Sequence, residues 1–96
     1  MKNKYAVQFA GKTFTRTTAR TYTHMVVAKQ DPATHLEWAK HASDVQKEID
    51  KINEAVEAGR YDVYHSQGWC SRLDLAQKLV GSLGMGWRDA QIVEVK

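Results

Sequence analysis

The chain has 96 residues, one cysteine and a net charge of +3. This length predicts a single domain, residues 1–96, with a hydrophobic core that does not need a disulfide or a metal to be stable. Because Cys70 has no partner within the chain, an intramolecular disulfide is excluded, and we expect a protein of a reducing compartment, the cytoplasm. No stretch reaches the roughly 20 apolar residues of a membrane helix and no signal peptide is evident, so we expect no membrane association.

The charges are unevenly distributed along the chain. Residues 1–30 contain six lysines and arginines and no acid, whereas residues 31–58 contain seven acids and three lysines. A basic segment of one sign is common in proteins that bind polyanions. Solvated strand edges, where lysine prevents edge-to-edge pairing, explain the pattern equally well.

The first thirty residues carry the pattern of three strands. Residues 4–9 alternate between apolar and polar, residues 10–12 have turn character, and the threonine-rich residues 13–18 predict the returning strand of a hairpin, with Phe14 toward the core. Residues 22–29 are β-branched or apolar on both faces. This composition predicts a strand in the middle of a sheet.

Asp31 and Pro32 predict the start of a long helix over residues 32–58. The Asp31 carboxylate can accept hydrogen bonds from the first free amides of the helix. Pro32 has no N–H group, and the first helical position does not require one. An apolar stripe follows at Trp38, Ala42, Val45, Ile49, Ile52 and Val56. A break near Ser43 is the alternative to one continuous helix, since Ser43 and Gln46 have capping-box spacing. The stripe is predicted to pack on the sheet, and a coiled-coil seam, with a homodimer through this helix, is the alternative.

The last third of the chain predicts a strand, a helix and a closing strand. Residues 61–66 alternate as a strand does, and residues 66–68 have turn character. Residues 71–74 have the spacing of a helix cap and precede an apolar stripe that ends at Leu83. Residues 84–86 stop this helix, and residues 90–95 predict the last strand.

These elements define an α+β fold. Short hairpins favour antiparallel neighbours, and two helices with apolar stripes need a sheet face to cover. We therefore predict an antiparallel sheet of four to five strands with two helices on one face, in the order β-β-β-α-β-α-β.

No pattern in the sequence predicts a catalytic or metal centre. His35 and His41 are six residues apart, so they do not share a helix face as metal ligands would. Cys70 and His65 could form a nucleophilic pair, but a packed, inert thiol is the better interpretation. We expect no metal, no cofactor and no enzymatic activity.

The predicted binding residues are basic or aromatic. They are Lys4, Lys12, Arg16, Arg20, Tyr22 and Lys29 on the strands, with Trp87 and Arg88 on a predicted loop. Basic, threonine-rich strands can present a platform that contacts phosphates and stacks on bases. An aromatic residue beside an arginine can stack on a base or anchor a partner protein, although Trp87 could instead close the edge of the core.

Three segments resemble parts of small proteins encoded by phages and plasmids: residues 14–29 (FTRTTARTYTHMVVAK), residues 68–72 (GWCSR) and residues 92–95 (IVEV). In size and α+β make-up the chain is similar to anti-CRISPR proteins, and within them to inhibitors of type I systems. The resemblance implies a non-catalytic inhibitor in the host bacterial cell. Such a protein binds subunits of a crRNA-guided surveillance complex, with crRNA as a further contact, and blocks target DNA binding or processing. The alternative is an accessory protein that binds single- or double-stranded nucleic acid through its basic N-terminal strands.

Overall fold

The computed structural model describes residues 2–95 and shows an α+β fold. The strands are β1 (Asn3–Phe9), β2 (Lys12–Thr18), β3 (His24–Gln30), β4 (Tyr64–Cys70) and β5 (Trp87–Glu94). The helices are α1 (Pro32–Ala39), α2 (Val45–Glu57) and α3 (Leu73–Ser82), with a short 3₁₀ helix at Arg60–Asp62. Among these residues, none of the helices combines the length and apolar character needed to cross a bilayer.

The strands form two antiparallel sheets instead of the single sheet predicted. β1 and β2 pair as a hairpin, and β3 lies between β4 and β5 in a three-stranded sheet. The central position predicted for residues 22–29 is confirmed, since residues 25–28 of β3 have no exposed surface. Burial of consecutive residues on both faces of a strand requires a covering layer on each side.

The hairpin covers one face of the three-stranded sheet and α3 covers the other. Met25 and Val27 pack on the hairpin side together with Phe14, whose predicted inward orientation is confirmed. Val26 packs on the opposite side with Ala76 of α3. The alternation along β3 therefore divides the core into two apolar layers.

A β-bulge in β4 decides which of its side chains face each layer. Gly68 and Ser66 pair with consecutive residues of β3, so Gln67 between them has no partner. The extra residue shifts the alternation by one position. Tyr64 and Trp69, five residues apart, consequently both pack on the hairpin side.

The predicted boundaries of β4 are wrong at both ends. Tyr61 belongs to the 3₁₀ helix, and the strand runs through the predicted turn at residues 66–68. Gly68 serves packing here and not a turn: a Cβ atom on it would lie 2.8 Å from Leu79 Cδ2 of α3. A glycine within a strand often marks such a close approach.

Two further local predictions in this region are wrong. Arg72, and not Ser71, occupies the N-cap of α3, and its side chain makes no capping hydrogen bond. Residues 87–88 begin β5 instead of lying in a loop.

The helix predicted over residues 32–58 is interrupted, which confirms the alternative with a break. The N-cap of α2 is Asp44, next to Ser43, and its carboxylate accepts a hydrogen bond from the amide of Lys47 at 3.1 Å. Asp31 caps α1 as predicted. Gly59 ends the helical segment with a φ of 77°, a conformation that glycine adopts without strain.

Residues 31–59, which we call the helical arm, extend beyond the end of the three-stranded sheet. α2 packs mainly on α1 and the 3₁₀ helix, so the prediction that its stripe packs on the sheet is wrong. The reason is that the hairpin and α3 already cover the two sheet faces. The molecule measures 50 × 25 × 21 Å, and its radius of gyration of 16.0 Å exceeds the roughly 12.5 Å of a compact domain of this length.

Candidate binding site

The predicted basic residues do not form one surface. Lys4 pairs with Thr17, whereas Tyr5 pairs with Arg16, and alternate residues of a strand face opposite sides. Lys4 therefore shares the outer face of the hairpin with the threonines. Lys12 and Arg16 lie on the same face of β2 as the buried Phe14, two residues to either side of it, and both are exposed.

Lys12 and Lys29 meet at Tyr64, close to the helical arm. The Lys12 ammonium donates a hydrogen bond to the Tyr64 carbonyl at 3.1 Å and lies 5.2 Å from the centre of the Phe14 ring. The Lys29 ammonium lies 5.0 Å from the centre of the Tyr64 ring. These cation–π contacts hold both lysines along the aromatic edge of the hairpin layer.

Arg16, Arg20 and Tyr22 gather at the opposite end of β3, together with Tyr5 and Trp69. We call these five residues the arginine–aromatic end. The centroids of the three rings lie 5.7 to 6.1 Å apart. The Arg16 guanidinium lies 5.5 Å from the centre of the Tyr22 ring. Rings at these distances pack as they do in a protein core, which gives the arginines a rigid support.

The hydroxyl of Tyr5 holds the link between β2 and β3. It donates a hydrogen bond to the carbonyl of Arg20 at 3.0 Å and accepts one from the amide of Tyr22 at 3.1 Å. The side-chain amide of Asn3 donates a second hydrogen bond to the Arg20 carbonyl at 3.3 Å. The backbone of Arg20 is therefore positioned, while its side chain is exposed.

A cleft of about 440 Å³ lies beside these rings. It is lined by Arg20, Thr21, Tyr22, Trp69, Cys70, Ser71 and Leu75. Aromatic walls with an arginine at the rim suit the bases and phosphates of a single-stranded nucleic acid, or an anchoring side chain of a protein. Arg20 and Tyr22 are the predicted binding residues that the fold places in this cleft.

Arg88 is tied into the fold. Its guanidinium contacts the Gln30 carbonyl at 3.2 Å, the Tyr61 carbonyl at 3.0 Å, the Asp62 carboxylate at 3.1 Å and the Asp89 carboxylate at 2.9 Å. These contacts use most of its five N–H donors and join β3, β5 and the 3₁₀ helix. The neighbouring Trp87 is half-buried at the start of β5 and meets His65 edge-on at 6.1 Å.

Cys70 and His65 do not form a catalytic pair. They pair with His24 and Ala28 of β3, four residues apart, which separates them by about 13 Å along the strand. Cys70 is buried in the layer beneath α3, which confirms its interpretation as a packed thiol. Burial also raises the pKa of the Cys70 thiol and disfavours the reactive thiolate.

We expect Cys70 to react slowly with a disulfide reagent such as DTNB in the native protein, and at the rate of a free cysteine in denaturant. Equal reaction rates in the native and denatured protein would contradict this prediction.

The raised pKa of the Cys70 thiol also predicts how stability depends on pH. As the pH rises, the native state keeps the thiol proton to a higher pH than the unfolded state does. The free energy of unfolding should therefore fall as the pH rises above 9.0, the ordinary pKa of the thiol.

The helical arm carries an aromatic cluster that sequence reasoning missed. The imidazole of His35 stacks on Trp38 with ring centroids 5.4 Å apart, and its Nδ1 lies 2.8 Å from the Tyr61 hydroxyl. Trp38 nevertheless remains 55% exposed. The spacing of three between His35 and Trp38 was the signal in the sequence, but the contribution of Tyr61 depends on the return of the chain. Within residues 2–95, no group of three or more His, Cys, Asp or Glu residues is placed to hold a metal ion.

Two clefts flank Trp38. One, of about 390 Å³, lies between α1 and α2 and is lined by His35, Trp38, Ala39, Ala42, Glu48, Ile52 and Tyr61. The other, of about 450 Å³, is lined by Gln30, His35, Trp38 and residues 84–87, among them Met85 with 79% of its surface exposed. Trp38 and Met85 are therefore the exposed large apolar side chains around which these two clefts lie.

Comparisons with known proteins identify no relative. No protein-family model matches the chain, and neither the curated proteins nor the solved structures give a significant match. The fold and its surfaces define a small α+β protein with one candidate binding surface at each end of β3. Its function has to be inferred from the chemistry of those surfaces.

Proposed function

We propose that the protein is a non-catalytic inhibitor that binds a crRNA-guided type I surveillance complex and blocks its binding or processing of target DNA. The observation that carries this proposal is the arginine–aromatic end, where exposed Arg20 lines a cleft walled by Tyr22 and Trp69 and exposed Arg16 lies against the Tyr22 ring. Target DNA and crRNA are polyanions with stackable bases, so they suit such a cleft. The resemblance of residues 14–29, which include both arginines, to phage and plasmid proteins supports the same function.

The separation of charge along the molecule supports binding to a nucleoprotein. β3 spans about 20 Å between the arginine–aromatic end and the helical arm. Residues 31–58 of the arm carry a net charge of −4. A surveillance complex combines nucleic acid with lysine- and arginine-rich subunits, so the arginines complement the first and the arm complements the second. This role needs no cofactor, and it is exercised in the cytoplasm of the host bacterium.

Reversing both arginines, Arg16→Glu with Arg20→Glu, should weaken binding to the purified complex by at least about tenfold, because favourable phosphate contacts become repulsive. Biolayer interferometry measures the affinity, and a target DNA binding assay measures inhibition. The matched control is Arg60→Glu with Lys78→Glu, which makes the same change in net charge at exposed positions outside the arginine–aromatic end and the helical arm. Unchanged affinity of the arginine variant, or an equal loss in the control, would contradict a specific role for these arginines.

The alternative function, direct binding of nucleic acid by an accessory protein, is supported by the same cleft. A pull-down from a lysate that contains a type I system, with and without nuclease, distinguishes the two. Recovery of surveillance subunits in both samples supports the inhibitor. Recovery of diverse nucleic-acid-binding proteins only without nuclease, together with salt-sensitive binding to bare oligonucleotides, supports the accessory protein.

A further inference from the structure

α2 has no buried residue although it carries a regular apolar stripe. The stripe consists of Val45, Ile49, Ile52 and Val56, with 37% of Val45 and 42% of Val56 exposed. The helix has 13 residues, close to the length below which isolated helices are marginal in water. Amphipathic helices are stabilised by covering their apolar face, and the fold supplies only part of that cover.

α1 covers one side of the stripe. Ile52 and Glu48 line the cleft between α1 and α2. Ile52 is only half-buried there, so it remains part of the open stripe, the name we give to Val45, Ile49, Ile52 and Val56. Helical spacing places the uncharged amides Gln46 and Asn53 along the other border of this stripe. An apolar face with a neutral border suits another neutral apolar face better than a lysine- or arginine-rich one.

The stripe has the same pattern in both directions along α2. The order is valine, isoleucine, isoleucine, valine, with spacings of four, three and four residues. A two-fold axis between Asp50 and Lys51 would therefore place Val45 opposite Val56 of a second copy, and Ile49 opposite Ile52. A two-fold interface requires this kind of self-complementary surface. We propose that two copies of the chain associate through an antiparallel pair of α2 helices.

The helix dipoles favour the antiparallel arrangement. Glu54 and Glu57 lie in the last turn of α2, which contains no basic residue, and there they oppose the negative end of their own helix dipole. In an antiparallel pair this end lies beside the positive dipole end of the second helix. That end also carries Asp44 and Glu48, so the attraction comes from the dipole and not from the side-chain charges. A parallel pair would place Glu54 and Glu57 of both copies side by side at two negative dipole ends.

The size of the contact predicts a weak dimer. α2 is about 20 Å long, and a single helix pair buries less than the roughly 800 Å² per partner of a standard interface. Trp38, at the rim of the α1–α2 cleft, is available to extend the contact. The two helical arms would form the centre of the dimer, with an arginine–aromatic end at each extremity.

A charge exchange across the two-fold axis tests this proposal. Val45→Glu and Val56→Lys change exposed residues, and each places the charge that the helix dipole favours at that end, so α2 should stay folded. Each variant alone should self-associate about tenfold more weakly, because its charge faces a valine of the second copy. A mixture of the two should associate again, since the introduced acid and base then lie opposite each other. Sedimentation velocity over a concentration series measures all three.

The matched controls are Lys47→Glu and Glu54→Lys, which change charge on the side of α2 away from the stripe. These variants should self-associate like the native chain, and circular dichroism should show equal helix content throughout. A native chain that stays monomeric at concentrations on the order of 1 mM would overturn the dimer. Weakened variants whose mixture stays dissociated would overturn the antiparallel arrangement.

Discussion

Replacing Met25 with alanine should lower the free energy of unfolding by about 2–5 kcal/mol, the range for truncating a large buried side chain. Met25 has no exposed surface and lies between the three-stranded sheet and the hairpin. The hairpin is held there mainly by apolar contact, because its strands and those of the other sheet belong to separate hydrogen-bonded ladders. The side chain of Lys12 supplies a hydrogen bond between them. A cavity at Met25 therefore weakens the layer that joins the two sheets.

Urea unfolding followed by tryptophan fluorescence and circular dichroism measures this loss. The matched control is Met85→Ala, the same substitution at a methionine that is 79% exposed, where we expect a change within about 0.5 kcal/mol. Similar losses for the two variants would show that the hairpin layer does not stabilise the fold as described.

Replacing Arg88 with alanine should lower the free energy of unfolding by about 2–3 kcal/mol. The variant loses the hydrogen bonds from a charged group to two backbone carbonyls, together with the ion pair to Asp62. These contacts connect the last turn before β4 to the sheet. The variant should therefore also loosen the base of the helical arm, which hydrogen exchange at residues 60–62 would detect.

Two variants control for charge and for side-chain size. Arg72→Ala removes an arginine whose ion pair with Asp74, at 3.3 Å, is mostly exposed. This variant should lower the free energy of unfolding by less than about 1 kcal/mol. Arg88→Lys keeps the charge but cannot reproduce the planar fork of donors, so it should recover little of the loss. Full recovery with lysine would mean that charge alone, and not the geometry of the guanidinium, holds this junction.

The proposed inhibitor would use the two ends of the molecule for different contacts. The arginine–aromatic end offers charge and rings for nucleic acid, and the helical arm offers acids on one side and an open stripe on another. A dimer joined at the arms would present two arginine–aromatic ends to the same complex, which would raise the apparent affinity if both could bind at once.

Local patterns predicted the elements whose signals lie within a few residues of each other. The central strand followed from the β-branched run that became β3, and the start of α1 followed from Asp31 and Pro32. The break before α2 was an alternative because capping residues lie near Ser43. The burial of Cys70 was the expected state of a small packed thiol, and the separation of charge between residues 1–30 and 31–58 was visible directly.

Predictions failed where a residue's role depends on a distant element. Gly68 has turn character, but it lies within β4, and a Cβ atom on it would lie 2.8 Å from the side chain of Leu79 in α3. Arg88 was predicted to lie in a loop, yet it belongs to β5 and contacts backbone carbonyls of two other segments. Arg16, Arg20 and Tyr22 were predicted as binding residues, but Tyr5 and Trp69, which complete their cluster, were not.

The sequence by itself determined the α+β class, the hairpin, the central strand, the capped start of the arm and the opposite net charges of residues 1–30 and 31–58, because each depends on local periodicity and composition. Only the tertiary structure decided that the strands divide into two sheets, that α3 alone of the helices covers a sheet face, and that α2 is left with an open stripe. The physical reason is competition for a limited apolar surface. Several amphipathic elements could cover β3, and which of them do so depends on the bulge in β4, the tether at Tyr5 and the lengths of the connecting segments.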